Sequence, residues 1–160
     1  MTLHIYTDGA CSNNGYANAR AGVGVFFQGL KDMPLIVSKA VNPKFKQTNN
    51  VAELLAVYYA LKRVYFYYKE PIQLHFYIDN KIALNTLLTT RKSGENWNII
   101  EKIYHIRKIL LDKGFKISGE WVKAHSTSKG NKIADQLACA GKEIIHNVGS
   151  QGAVGLTDEQ

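Results

Sequence analysis

Apolar and polar positions change their spacing several times along this chain of 160 residues, and each change marks an element. LHIYT, residues 3–7, is a run of strand formers that meets Asp8 and Gly9, which predicts a first strand over 3–8. Alternation in AGVGVFF (21–27) and the apolar run LIVSKAV (35–41) predict two more strands, joined by a turn near Asp32 and Pro34. After QTNN, apolar residues recur at spacings of three and four from about Val51 to Tyr68, the signature of a long helix with Asn49 or Asn50 as its N-cap. Pro71 interrupts, and IQLHFYI (72–78) predicts a strand that ends in Asp79. A short helix over 81–88, a polar loop TTRKSGEN, and a long amphipathic helix over 97–113 stopped by Gly114 come next. FKISGEW supplies a last strand, KAHSTSKGN a loop, and a final helix runs from about Lys132 into the 140s.

Three early strands imply an antiparallel meander, and the later strands alternate with helices. The order predicts a mixed sheet with helices packed on it, an α/β fold. Sheets of this kind collect ligands at the carboxyl ends of their parallel strands, where Asp8 and Asp79 are both expected. No repeat or linker divides the chain, so residues 1–147 are expected to form one domain. The tail from Val148, rich in Gly and polar residues, is expected to be flexible.

Composition narrows the class of protein. At 46% hydrophobic and 21% charged residues the chain is ordinary for a globular protein, with no apolar run long enough to span a membrane. The N-terminus lacks the basic start and apolar core of a secretory signal, so an intracellular setting, cytoplasmic or nuclear, is expected. The two cysteines, Cys11 and Cys139, lie far apart and match no metal-finger spacing, which agrees with a reducing compartment. A net charge of +7 favours a polyanionic partner, with nucleic acid the leading candidate.

Against that basic background four acids stand out, because each is embedded among apolar or small residues. Asp8 and Asp79 end their strands, Glu53 heads the stripe Val57, Ala60, Val64 on its helix, and Asp135 is followed on its own face by Ala138 and Cys139. Each has a plainer reading in isolation. Asp8 before Gly suits a turn, Glu53 suits the positive end of a helix dipole, Asp79 suits an N-cap, and Asp135 suits a pair with a surface Lys. Together they would repel one another near a core boundary, unless a divalent cation reverses that balance. Mg²⁺ takes oxygen ligands, keeps several waters and also holds substrate phosphates. His125, in the loop before the helix of Asp135, is usually just a solvated residue in such a place; its position there also suits proton transfer or product release.

TDGACSNNG, TNNVAELLAV, FYIDN and WVKAHSTSKGNKIADQLA resemble, in the same order, the motifs of the type 1 ribonuclease H family. The likeness covers roughly residues 3–143. It implies a ribonuclease H-like fold, a five-stranded mixed sheet in order 3-2-1-4-5 flanked by helices. It also implies an endonuclease that cleaves the RNA strand of an RNA–DNA hybrid, leaving 5′-phosphate and 3′-hydroxyl ends. Asp8, Glu53, Asp79 and Asp135 match the catalytic carboxylates and metal ligands, and His125 matches the loop histidine. Asn14, Thr48, Asn49, Asn50 and Asn80 match positions of substrate contact. The mechanism implied is in-line attack by water with two Mg²⁺ ions, or Mn²⁺, roughly 3.5–4 Å apart and Asp8 between them.

The chain departs from the family pattern in places. The usual Asp-Ser is Asp79-Asn80 here, followed by Lys81, which implies retuned substrate contact rather than inactivity. SNNGYANARAG resembles eukaryotic-type members, and only TTRKSGEN stands where some bacterial members carry a longer basic handle. No separate hybrid-binding domain is expected, since the first motif begins at residue 7, and the protein is expected to act as a monomer. The alternative is a catalytically silent hybrid- or RNA-binding module on the same fold, which would be expected to lack a carboxylate.

Overall fold

The computed structural model describes residues 1–29 and 35–144. Its elements follow the order β1 (Thr2–Ser12), β2 (Arg20–Gln28), β3 (Ile36–Ala40), α1 (Asn49–Tyr67), β4 (Gln73–Ile78), α2 (Lys81–Leu88), α3 (Trp97–Asp112), β5 (Lys116–Trp121) and α4 (Lys129–Lys142). The strands form one five-stranded sheet in the order β3-β2-β1-β4-β5, as the resemblance implies. The β1–β2 and β2–β3 pairs are antiparallel, and the β1–β4 and β4–β5 pairs are parallel. The turn expected near Asp32 and Pro34, and the tail from Val148, lie outside the described residues.

Alternation decides how the sheet is covered. Leu3, Ile5 and Thr7 of β1 are wholly buried, whereas His4 and Tyr6 on the other face are half-buried. α1 packs on β1 and β2 and is backed by α2 and α3, while α4 crosses β1, β2 and β3. Helices therefore cover β2 on both sides, and its run from Ala21 to Val25 is buried without interruption. Gly24 makes the α4 crossing possible, because a Cβ there would collide with the α4 backbone at Ala134 and Ala138. Each fully buried large side chain of this core, such as Phe27, Leu54, Leu61, Phe76 or Ile100, contributes about 1.5–3 kcal/mol through burial.

Three expected boundaries move, and two of the shifts shape the site. β1 does not stop at Asp8 but runs on to Ser12, because β2 continues to pair with it through Ser12↔Arg20. The parallel pairing with β4 ends at Thr7↔Ile78, so Asp8 is the first β1 residue beyond the neighbouring strand. α1 is capped by Thr48, not by Asn49 or Asn50: Thr48 is extended, and its hydroxyl accepts from the Val51 N–H at 3.1 Å. The two asparagines are thereby released into the first turn. α4 begins at Lys129, earlier than Lys132, because Ser128 caps it and the polar-looking Gly130 and Asn131 are buried against the sheet, Gly130 beside the Tyr6 ring.

Candidate active site

Where β4 stops and β1 continues, three acidic side chains converge. Asp8 comes from β1, Glu53 from the second turn of α1, and Asp79 from the residue just after β4. One carboxylate oxygen from each of the three lies within 4.8 Å of the others. Asp8 and Glu53 are buried and Asp79 is half-buried. Asp135, in the first half of α4, is half-buried and stands outside that tight group. It is close enough for its charge to act on both Asp8 and Asp79.

Gly9 holds the group together. Its N–H donates to Asp8 Oδ1 at 2.9 Å and to Glu53 Oε1 at 3.0 Å. With β4 ended opposite Thr7, this N–H meets carboxylates rather than a strand. A side chain is excluded here, since a Cβ on Gly9 would sit 2.6 Å from the Glu53 nitrogen. Glu53 Oε2 is buried and receives no hydrogen bond from any described residue. Burial drives the Asp8 carboxyl up from 3.8 to about 7, and the negative charges of Asp79 and Asp135 add to it. Burial also pushes Glu53 well above the ordinary carboxylate range, with Asp8 as the next cause, and raises Asp79.

These are the properties of a cation site without its cation. The donors are all hard oxygens, one of them is an orphaned buried acceptor, and the group sheds negative charge only by holding protons. The residues therefore fit a divalent metal ion bound by Asp8, Glu53 and Asp79.

Around the carboxylates, the asparagines expected at the substrate are engaged with one another. Asn14 Oδ1 accepts from the Asn49 N–H at 3.1 Å, and Asn80 Nδ2 donates to Asn50 Oδ1 at 3.1 Å. Asn80, rather than Asp79, caps α2, accepting from the Ala83 N–H at 2.9 Å. Thr48 spends its hydroxyl on α1. His125 is exposed, in the turn before α4, with a left-handed backbone at φ 55°. Lys44, Lys46, Glu95, Asn96 and Asn98 line a polar cleft beside Val51 in the first turn of α1.

Three contributors have no clear signal in the sequence. Gln47 accepts from the Ala21 N–H and donates to the carbonyls of Val41, Asn42 and Phe45, which pins the segment leading into Thr48. Trp121, at the end of β5, donates its indole N–H to the Asp79 carbonyl at 3.1 Å, while Lys81 lies over its ring. The Gly9 N–H is a backbone group that no side-chain pattern announces.

The sequence profile of the RNase H family matches residues 1–143. The chain belongs to the RNase H family. Ribonuclease H of Haemophilus influenzae is 32% identical over 149 residues, an alignment that covers 88% of this chain and 90% of that protein. Ribonuclease H of Saccharomyces cerevisiae is 27% identical over 164 residues, covering 88% of this chain but 45% of the yeast protein. The chain thus spans under half the length of that relative and most of the bacterial one. Among solved structures, the N-terminal RNase H domain of a Mycobacterium tuberculosis protein, fused to maltose-binding protein, superposes with a TM-score of 0.65 at 21% identity, covering 89% of this chain and all of that domain. The prototype foamy virus protease–reverse transcriptase superposes with a TM-score of 0.67 at 20% identity over 90% of this chain and 21% of that one. These superpositions bear on the fold. RNase H proteins are metal-dependent endoribonucleases that bind RNA–DNA hybrids, in keeping with a carboxylate group suited to a metal. No helix among the described residues is long and apolar enough to cross a membrane.

Proposed function

We propose that this chain hydrolyses the RNA strand of RNA–DNA hybrids as an endonuclease, with two Mg²⁺ ions, or Mn²⁺, bound at its carboxylates. The observation that carries this reading is the buried triad of Asp8, Glu53 and Asp79, with ligand oxygens within 4.8 Å of one another and one orphaned acceptor. Asp8, Glu53 and Asp79 would hold the metal, with Asp135 adding its negative charge from α4. Such ions supply Lewis-acid polarisation of the scissile phosphate and lower the pKa of an attacking water.

The protein's part is to hold these oxygens still. The Gly9 N–H fixes Asp8 and Glu53, and the Trp121 indole holds the Asp79 backbone. His125, exposed before α4, takes up or releases a proton during turnover or product departure. Cleavage leaves a 5′-phosphate and a 3′-hydroxyl. Asn14, Asn49 and Asn50 face the hybrid, and Lys44 and Lys46, in the segment that leads into α1, attract its phosphates. The enzyme acts as a monomer; the free thiols of Cys11 and Cys139 suit the reducing conditions of cytoplasm or nucleus.

All four acidic positions are retained, which favours an enzyme over a silent binding module. The deciding experiment incubates an end-labelled RNA–DNA hybrid with the protein in Mg²⁺ and in EDTA, beside duplex RNA and duplex DNA. Cleavage of the RNA strand in the hybrid alone, abolished by EDTA, is the expected result. Hybrid binding without cleavage in either Mg²⁺ or Mn²⁺ would establish the silent module instead.

A further inference from the structure

Asn80 occupies the position at which the family pattern usually has Ser, and its hydrogen bonds have a fixed polarity. The backbone N–H of Ala83 can only donate, so the Asn80 atom it meets at 2.9 Å is the carbonyl oxygen. The other end of that amide is therefore NH₂, which can only donate as well. It lies 3.1 Å from the Asn50 side chain, so the Asn50 atom facing it is the oxygen. Asn50 is exposed, and with its oxygen turned toward Asn80 its NH₂ group is the end of the amide directed away from that contact. The α2 cap thus sets the orientation of an amide on a different helix.

Asn14 obeys the same logic. It is exposed, and its oxygen accepts from the backbone N–H of Asn49 at 3.1 Å, which leaves its NH₂ outward. Two side chains beside the N-terminal end of α1 thus have their NH₂ groups turned away from their protein partners. A nucleic acid offers many acceptors to such a pair: phosphate oxygens, base-edge nitrogens and carbonyls, and, on the RNA strand alone, the oxygen of a 2′-hydroxyl.

We propose that Asn80 is a positioning residue that locks Asn50 as a hydrogen-bond donor toward acceptors of the hybrid. The inference rests on the hybrid-nuclease reading above. Asn80 acts through Asn50 and makes no substrate contact of its own in this role. Asn80→Ser keeps a cap for α2 but is too short to reach Asn50. Asn80→Asp keeps the cap and loses the donor, so Asn50 turns its NH₂ inward and shows its oxygen to acceptors.

Hybrid affinity, measured by fluorescence anisotropy in an Asp8→Asn background that binds without cleaving, tests this as a double-mutant cycle with Asn50→Ala. Asn80→Ser is expected to weaken binding about threefold to tenfold when Asn50 is present, the effect of losing one oriented hydrogen bond. In the Asn50→Ala background the same change is expected to have almost no effect. Asn80→Asp should weaken binding more than Asn80→Ser when Asn50 is present. In the intact enzyme the Asn80→Ser loss should fall on KM rather than on kcat. Equal losses with and without Asn50, or no loss with Asn50 present, would overturn the positioning role. A parent protein that binds no hybrid at any salt concentration would overturn the hybrid-nuclease reading and this inference with it.

Discussion

Replacing Asp8 with Asn in the metal-free protein separates the electrostatics of the site from its activity. The amide keeps the carboxylate's shape and an oxygen for the Gly9 N–H, but it carries no charge. In the folded protein burial raises the Asp8 carboxyl from 3.8 to about 7. A group whose folded pKa is raised stabilises the fold fully below its unfolded value and loses that contribution as pH rises through the folded value. Wild-type protein in EDTA should therefore lose stability between about pH 4 and pH 7, whereas Asp8→Asn should lose less.

The size of the effect follows from the shift. The rise from 3.8 to about 7 corresponds to an upper limit of about 4 kcal/mol, at about 1.4 kcal/mol for each unit. Counter-ions and water at the open mouth of the site should reduce the gain to about 2 kcal/mol at pH 8. In a domain of this size that is about 4–8 °C in Tm. Thermal unfolding in EDTA at pH 4.5, 6 and 8 measures it directly, with the two proteins converging at the lowest pH. Mg²⁺ at a hundred times its Kd should then restore about 2.7 kcal/mol to the wild type and much less to the variant. A variant no more stable than wild type at pH 8 in EDTA would refute the claim that these carboxylates oppose folding until a cation neutralises them.

Other perturbations isolate single parts of the site. Asp79→Asn should cut hybrid cleavage in Mg²⁺ by at least about a hundredfold, measured as single-turnover rate, while circular dichroism shows a folded protein; near wild-type cleavage would remove Asp79 from the metal set. His125→Ala should slow steady-state turnover by about tenfold without abolishing it, and complete loss would assign the imidazole a more central part. Gly9→Ala forces a Cβ to within 2.6 Å of the Glu53 nitrogen, so it should destabilise the fold by about 1–3 kcal/mol in urea unfolding and weaken metal binding in calorimetry. Unchanged stability there would show that α1 can back away from β1.

The α/β order and nearly every element were legible because apolar spacing is a local signal. What the sequence concealed depended on neighbours far along the chain. Asp8 resembles a strand terminus because Asp is a poor strand former, yet β1 continues since β2 pairs with it through Ser12. Lys129, Gly130 and Asn131 read as loop because they are polar or small, but Gly130 and Asn131 are buried where α4 meets the sheet. Thr48 was legible as a polar residue before a helix; that it rather than Asn49 or Asn50 caps α1 is set by its extended backbone and its bond to the Val51 N–H. The carboxylates emerged through their apolar surroundings. Gly9, Gln47 and Trp121 act through a backbone group or through bonds to backbone, which composition and spacing do not register.

The staggered ends of β1 and β4 account for most of the site's chemistry. Had β4 continued past Ile78, the Gly9 N–H would have had a strand to face instead of carboxylates. Because it stops, one backbone donor serves two carboxylates, and two donors would be needed to satisfy their facing oxygens separately. Glu53 Oε2, the other oxygen of that carboxylate, stays buried with no partner among the described residues, an arrangement that costs on the order of 1–3 kcal/mol or more for a charged group. Adding a side-chain donor would relieve the cost and would also occupy the place of a cation. The instability of the empty site is thus the same property as its affinity for metal, and a substitution that cures one should remove the other.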